Sequence, residues 1–282
     1  MKNVVTRAIT GAVYVGIIVG CIVGGQVWFW LLALLLAMLG VDELNRITNR
    51  NFMSTSMRLL DMAGAALAVT AVMTLSDCSN HLITSGWICL PLWLGYLILR
   101  LVAQLYVQDG NGMSHLAHSM MGQLYVALPL AILNGLYLIE GRALVLTIFV
   151  MIWLNDTGAF CVGSLFGRHK LFERVSPKKS WEGFFGGLAF CILAGAAAWY
   201  WWTDSYSIHQ MHNIWVMMGL GASVSVFATW GDLIESLIKR SLGVKDSGKL
   251  LPGHGGILDR IDSLLLVAPG VALYVTAIVL FF

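Results

Sequence analysis

Charge is what this sequence has least of. Of its 282 residues only 11% are Asp, Glu, Lys or Arg, while 58% are hydrophobic. A soluble domain carries about a quarter charged residues, so a soluble enzyme is excluded, and no stretch is long and polar enough to form a separate soluble domain. Cysteine is sparse and unpatterned: Cys21, Cys78, Cys89, Cys161 and Cys191 show no CxxC or metal-ligand spacing. Four of them sit in apolar runs, where a thiol is a small hydrophobe, so neither a disulfide nor a structural zinc is expected. The net charge is only +2, and the cations are scattered or lie beside carboxylates, which argues against nucleic acid as a partner. No small-x-small cleavage site follows Lys2, Arg7 and the first apolar run, so the first span is expected to be retained. Internal repeats and low-complexity tracts are also missing.

What fills the chain instead is apolar sequence of membrane length. Runs of about 17–25 residues span a bilayer. Nine candidates stand at roughly 8–24, 26–41, 59–76, 83–103, 119–138, 143–164, 183–202, 213–230 and 263–282. The expected fold is therefore all-α, a polytopic integral membrane protein with about nine transmembrane helices. Residues 8–41 could be one over-long helix or two spans broken at Gly24-Gly25. Lys2 and Arg7 flank one end, and Arg46, Arg50 and Arg58 the other. Positive flanks stay in the cytoplasm, so the chain must cross twice. The same rule makes 1–7, 42–58, 104–118, 165–182 and 231–262 cytoplasmic; 16 of the 17 Lys and Arg fall within or at the edge of these segments, Arg142 alone lying outside. The segments 77–82 and 203–212 hold Asp77, Asp204 and histidines but no Lys or Arg. The N-terminus is then inside and the C-terminus outside. Four spans fall in 1–118 and five in 119–282. Trp28, Trp30, Trp199, Trp201, Trp202 and Trp215 sit at span ends, as interfacial anchors do. Asp42, Glu43 and Asp61 are expected at the membrane interface.

The few charges gather in Gly231–Ser263. Asp232, Glu235, Asp246, Asp259 and Asp262 are matched there by Lys239, Arg240, Lys245, Lys249 and Arg260. A segment that only hugged anionic lipid would carry an excess of cations. Both signs together suit a site where carboxylates hold metal and cations hold phosphate. In a helix, Asp232, Glu235, Ser236 and Lys239 fall at i, i+3, i+4 and i+7, on one face. Asp259 and Asp262 are also i, i+3 if a helix begins near Leu258. Between the two lies Leu251-Pro-Gly253-His254-Gly255-Gly256, whose glycines let backbone amides approach an anion closely, near the positive end of that helix. These are the parts of a phosphoryl or nucleotidyl transfer site.

The run Ser236-Leu-Ile-Lys239-Arg240, then Lys245-Asp246-Ser-Gly, then Pro252-Gly-His-Gly-Gly-Ile-Leu-Asp259-Arg260-Ile-Asp262 resembles, without a gap, the signature of the phosphatidate cytidylyltransferases, the CDP-diacylglycerol synthases. The resemblance implies that CTP and phosphatidic acid give CDP-diacylglycerol and pyrophosphate with Mg2+, a monovalent cation being left open as a second ion. Asp232, Asp259 and Asp262 are the expected metal ligands. Lys239, Arg240 and Arg260 would steady pyrophosphate, and Ser236, Lys245, Asp246, Gly253, Gly255 and Gly256 belong to the same site. His254 is either a general base or a loop histidine bonded to backbone. The lipid phosphate is already ionised at pH 7, so little base catalysis is needed.

Two further blocks are similar to family motifs. Asn155-Asp156-Thr-Gly-Ala puts a carboxylate near the end of the sixth span, where it is expensive unless it faces a cavity, an ion or a partner. Its plain alternative is an interhelical hydrogen bond. Ser176-Pro-Lys178-Lys179-Ser-Trp-Glu182-Gly supplies two lysines for the CTP tail or the lipid phosphate, with Glu182 a weaker candidate; the plain alternative is a solvated positive loop. The expected partners are CTP, phosphatidic acid and the bilayer, with a homodimer left open. The expected place is a bacterial-type inner membrane, with the site facing the cytoplasm. Two rivals stand: a CTP-dependent polyprenol-type kinase, and an ion-coupled transporter using Asp156 and the Asp259/Asp262 pair.

Overall fold

The computed structural model describes residues 2–48, 54–76, 83–107, 112–248 and 255–281. Arg50, Asp77, Cys78, Lys249, Gly253 and His254 lie outside the described residues. The chain is almost wholly helical: α1 (Lys2–Gly24), α2 (Gln26–Thr48), α3 (Thr55–Ser76), α4 (Ile83–Gln104), α5 (Gly112–Gly122), α6 (Leu128–Phe166), α7 (Trp181–Trp202), α8 (Ile214–Ser241) and α9 (Leu258–Phe281). Among the described residues, six helices are long and apolar enough to cross a membrane, and two apolar ones are shorter (Ile9–Gly24 and Cys89–Gln104). The protein is an all-α membrane protein, as its composition requires.

The longest apolar stretch, Gly112–Phe166, runs for 55 residues, more than one crossing needs. It breaks at Gly141, which takes φ 72°, a conformation open to glycine at little cost. The first two runs separate at Gly25, φ 109°, resolving 8–41 into two helices. The strands β1 (Lys170–Phe172) and β2 (Ser176–Ser180) form a short antiparallel hairpin inside the expected loop 165–182.

The helices group into two compact units. The first comprises 1–138 and 246–260. In it α3 packs against α2 and α4, and Phe29 stacks on Tyr137 with ring centres 4.9 Å apart. Its core carries a charged group. Asp61 is 0% exposed and Arg100 1%, and the Arg100 Nε donates to Asp61 Oδ1 at 3.0 Å. Tyr96 (2.9 Å) and Ser119 (2.6 Å) donate to the same oxygen, and Asn45 Nδ2 donates to the other at 3.0 Å. Gln123, at the start of a π-helical turn after α5, donates to the Asp61 carbonyl at 2.9 Å. A carboxylate so far from water persists only with all its lone pairs engaged. Asp42 and Glu43, like Asp61, are shielded from solvent by the protein itself. Asp42 pairs with Arg46 (2.8 Å) and with Arg58 Nε (2.7 Å). Helix packing inside a membrane protein rewards such internal pairing, because lipid offers a carboxylate nothing.

The second unit comprises 139–245 and 261–282. Here α7 and α8 pack most closely. A Cβ on Gly195 would overlap the Met217 carbonyl, and one on Gly221 the Cys191 carbonyl. Small residues at these crossings let backbones approach where no water-driven force acts between helices. Asn155 of α6 is held by Ser225 of α8, whose Oγ donates to Oδ1 at 2.7 Å. Glu140 accepts the backbone amides of Ser207 and Ile208 at 2.9 and 3.0 Å, which orders the 203–213 connection.

Candidate active site

Helix α8 ends in two polar turns after a long apolar run. Asp232, Glu235, Ser236 and Lys239 share one face there, at the spacing read from the sequence, and α9 brings Asp262 to them. A carboxylate oxygen from each of Asp232, Glu235 and Asp262 lies within 4.8 Å of the others. Gly231 permits this approach: a Cβ on it would stand 2.8 Å from the Asp262 carbonyl and 3.0 Å from Ser263 Cα. Three like charges at that spacing repel by about 3–4 kcal/mol per pair at an effective dielectric of about 20. Lysines offset part of this. Lys179 Nζ sits 2.7 Å from Asp232 Oδ2, and Lys239 pairs with Glu235. Ser236 Oγ donates to Asp232 Oδ1 at 3.2 Å, and the Ser263 amide to Asp262 Oδ1 at 2.6 Å. An all-carboxylate donor set of this size, with Glu235 buried and the two aspartates half-buried, fits a hard divalent cation such as Mg2+.

Beside the group opens a cavity of about 450 Å3, within the range of small-ligand sites. Asp156, Lys178, Lys179 and Asp232 form its polar wall, and Phe160 and Phe184 its apolar one. The hairpin holds the lysines in place. Ser180 caps α7, its Oγ accepting the Gly183 amide at 3.2 Å. Glu182 accepts the amides of Arg168 (3.1 Å) and His169 (3.2 Å) and faces His169 Nδ1 at 2.6 Å. Glu182 therefore ties the base of the hairpin. Lys179 also donates to the Thr229 carbonyl at 3.4 Å.

Of the three carboxylates expected to hold metal, Asp232 and Asp262 fall in the cluster together with Glu235. Asp259 belongs to the first unit, where its Oδ2 accepts the Ser247 amide (3.0 Å) and the Gly256 amide (2.8 Å). Gly255 takes φ 81° beside it. Arg260 is exposed, and its carbonyl accepts the Tyr14 hydroxyl at 2.9 Å. Arg240, Lys245 and Asp246 are exposed; Arg240 donates to the Val244 carbonyl at 3.3 Å. Gly253 and His254 are outside the described residues.

Two residues escaped the sequence reading. Glu235 is legible in retrospect, since its i, i+3 spacing from Asp232 puts it on the same helix face. Glu43 of α2 is not. Its carboxylate accepts the Ile257 amide at 2.8 Å, the Leu258 amide at 3.3 Å and the Ser247 hydroxyl. Nothing in a buried acid on a distant helix announces such a partner.

The profile of the cytidylyltransferase family matches residues 5–278. A phosphatidate cytidylyltransferase of Staphylococcus aureus is 47% identical over 130 residues, 46% of this chain and 48% of the relative. One of Staphylococcus haemolyticus is 45% identical over 130 residues, with the same shares. Against these two the chain spans about half the length of the curated relative. One of Staphylococcus epidermidis is 35% identical over 246 residues, 85% of this chain and 86% of the relative. With a profile match along nearly its whole length, the chain belongs to the cytidylyltransferase family.

Proposed function

We propose that the protein transfers the cytidylyl group of CTP to phosphatidic acid, giving CDP-diacylglycerol and pyrophosphate. The observation that carries this reading is the Asp232–Glu235–Asp262 cluster at the edge of a cavity whose wall also bears Lys178 and Lys179. Family membership and the relatives' names support it.

In this reading an ionised phosphatidate oxygen attacks the CTP α-phosphorus. The bond from that phosphorus to the bridging oxygen breaks, and pyrophosphate leaves with the electron pair. Asp232, Glu235 and Asp262 would hold Mg2+, which when bound neutralises and polarises phosphate oxygens. Lys239, at the base of the cluster, steadies negative charge on the triphosphate. Lys178 and Lys179 bind phosphate from the hairpin side, and Asn155 and Ser225 brace the wall behind Asp156. The protein's work is positioning and charge, with no covalent intermediate. Asp156 lines the cavity and is exposed to it, consistent with a substrate-facing role. Arg240 and Lys245 are assigned to the triphosphate.

The finer topology belongs to this proposal. The described residues of the nine apolar runs are almost all helical, the longest stretch being divided at Gly141. We take nine crossings of the bacterial inner membrane, the N-terminus inside, the C-terminus outside and the site toward the cytoplasm. Phosphatidate cannot leave the leaflet and CTP cannot enter it, so a site at that boundary serves both.

The deciding experiment uses CTP labelled at the α- or the γ-phosphorus with purified protein in mixed micelles. Label from the α-position enters lipid for a cytidylyltransferase. Label from the γ-position would mean a lipid kinase, and label from neither a non-enzymatic role; either result overturns the proposal.

A further inference from the structure

We infer that Glu43 of α2 is a positioning residue for the transfer: its buried carboxylate holds Ser247 and the first turn of α9, and through that helix the carboxylate of Asp262. The inference rests on the cytidylyl-transfer reading and on the metal role given to the cluster.

A helix begins with amides that have no partner inside it. At α9 these include Ile257 and Leu258, and both donate to Glu43, which lies 214 residues before Ile257 and is 8% exposed. A negative charge is favoured at that positive helix end. Ser247 brings its hydroxyl to the same carboxylate. Gly248 and Gly256 lie close against this group. A Cβ on Gly248 would stand 2.9 Å from the Glu43 carboxylate, and one on Gly256 would overlap it. Asp259 grips the loop from inside through the Ser247 and Gly256 amides.

Gly255 and Gly256 have little rigidity of their own, so the two carboxylates fix the backbone that enters α9. The amides that the sequence offers to a phosphate are, at Ile257 and Leu258, already held by an anion of the protein itself. Helix α9 then continues unbroken to Asp262, one turn beyond Asp259. A change in how α9 starts is carried along its backbone to Asp262, whose carboxylate must meet those of Asp232 and Glu235 within 4.8 Å. Metal sites tolerate only a few tenths of an ångström in ligand placement, so losing the Glu43 contacts reads out first as lost metal binding.

The test is Glu43→Gln in the full-length protein in detergent. The variant keeps size but loses the charge, and sets an NH2 group against amide donors. The expected result is a fall in kcat of tenfold or more, with the Mg2+ concentration for half-maximal activity raised by tenfold or more. The KM for phosphatidate stays within twofold. Mn2+ binding followed by electron paramagnetic resonance, without substrates, weakens by a similar factor. Gly248→Ala, which crowds the same carboxylate, reproduces the pattern; if Glu43→Gln does not yield folded protein, Gly248→Ala and Ser247→Ala decide in its place. Unchanged Mn2+ binding in folded variants overturns the inference, whatever happens to kcat. The underlying reading fails separately: wild-type protein that binds Mn2+ yet transfers no α-label to lipid removes the reaction and leaves the Glu43 contacts to be judged on Mn2+ alone.

Discussion

Replacing Lys179 with Met tests whether the hairpin lysines act on substrate or only brace the fold. The variant keeps most of the apolar stem and removes the ammonium. In the structure that ammonium stands 2.7 Å from Asp232 Oδ2, with side chains 26% and 35% exposed. An ion pair this open to solvent contributes about 1 kcal/mol or less to stability. Loss of a charge-assisted contact to a bound phosphate costs about 1.5–3 kcal/mol, which is roughly ten- to hundredfold in kcat/KM. The two effects therefore separate: thermal melting moves by only a few degrees while turnover collapses. The Mg2+ requirement supplies a sign. Lys179 competes with a divalent cation for Asp232, so its removal leaves the Mg2+ half-saturation unchanged or lowers it, by at most about fivefold for 1 kcal/mol. The assay is α-labelled CTP incorporation in mixed micelles, titrated in turn with CTP, phosphatidate and Mg2+. A kcat/KM within twofold of wild type would refute the phosphate role. A large rise in Mg2+ half-saturation would refute the account of Lys179 as a competitor.

Glu235→Gln removes a proposed ligand charge and should abolish most turnover while the protein still purifies folded; EDTA should silence the wild type and excess Mg2+ restore it, and full activity of Glu235→Gln at saturating Mg2+ would discard the ligand assignment. Arg100→Ala leaves the Asp61 carboxylate buried without its cation, a loss of about 3–5 kcal/mol, so little folded protein should be recovered; joining it to Asp61→Asn should restore part, as read by size-exclusion yield and melting. In a cysteine-depleted background, Leu250→Cys should react with an impermeant thiol reagent only once the inner side is opened, and Ser207→Cys from outside intact cells. The reverse pattern would overturn the nine-crossing topology.

Composition and spacing settled a good deal about this protein. With so few charges and apolar runs of crossing length, the chain has no stable option but helices in lipid, and helices are what form. Local periodicity placed Asp232, Glu235, Ser236 and Lys239 on one face, because i, i+3, i+4 and i+7 are neighbours on any helix. The 165–182 segment was seen as a polar block, but its hairpin was not, since three- and five-residue strands leave too little pattern to read. What lay beyond the sequence was which distant groups meet. Asp61 with Arg100, Glu43 with Ile257, and Asp262 with Asp232 and Glu235 are all consequences of how helices pack. A carboxylate written in an apolar run declares only that it needs a partner. Its hydrogen-bond capacity must be met somewhere away from water, and only the tertiary structure, by bringing remote backbone amides and cations within about 3 Å, decides which partner that is.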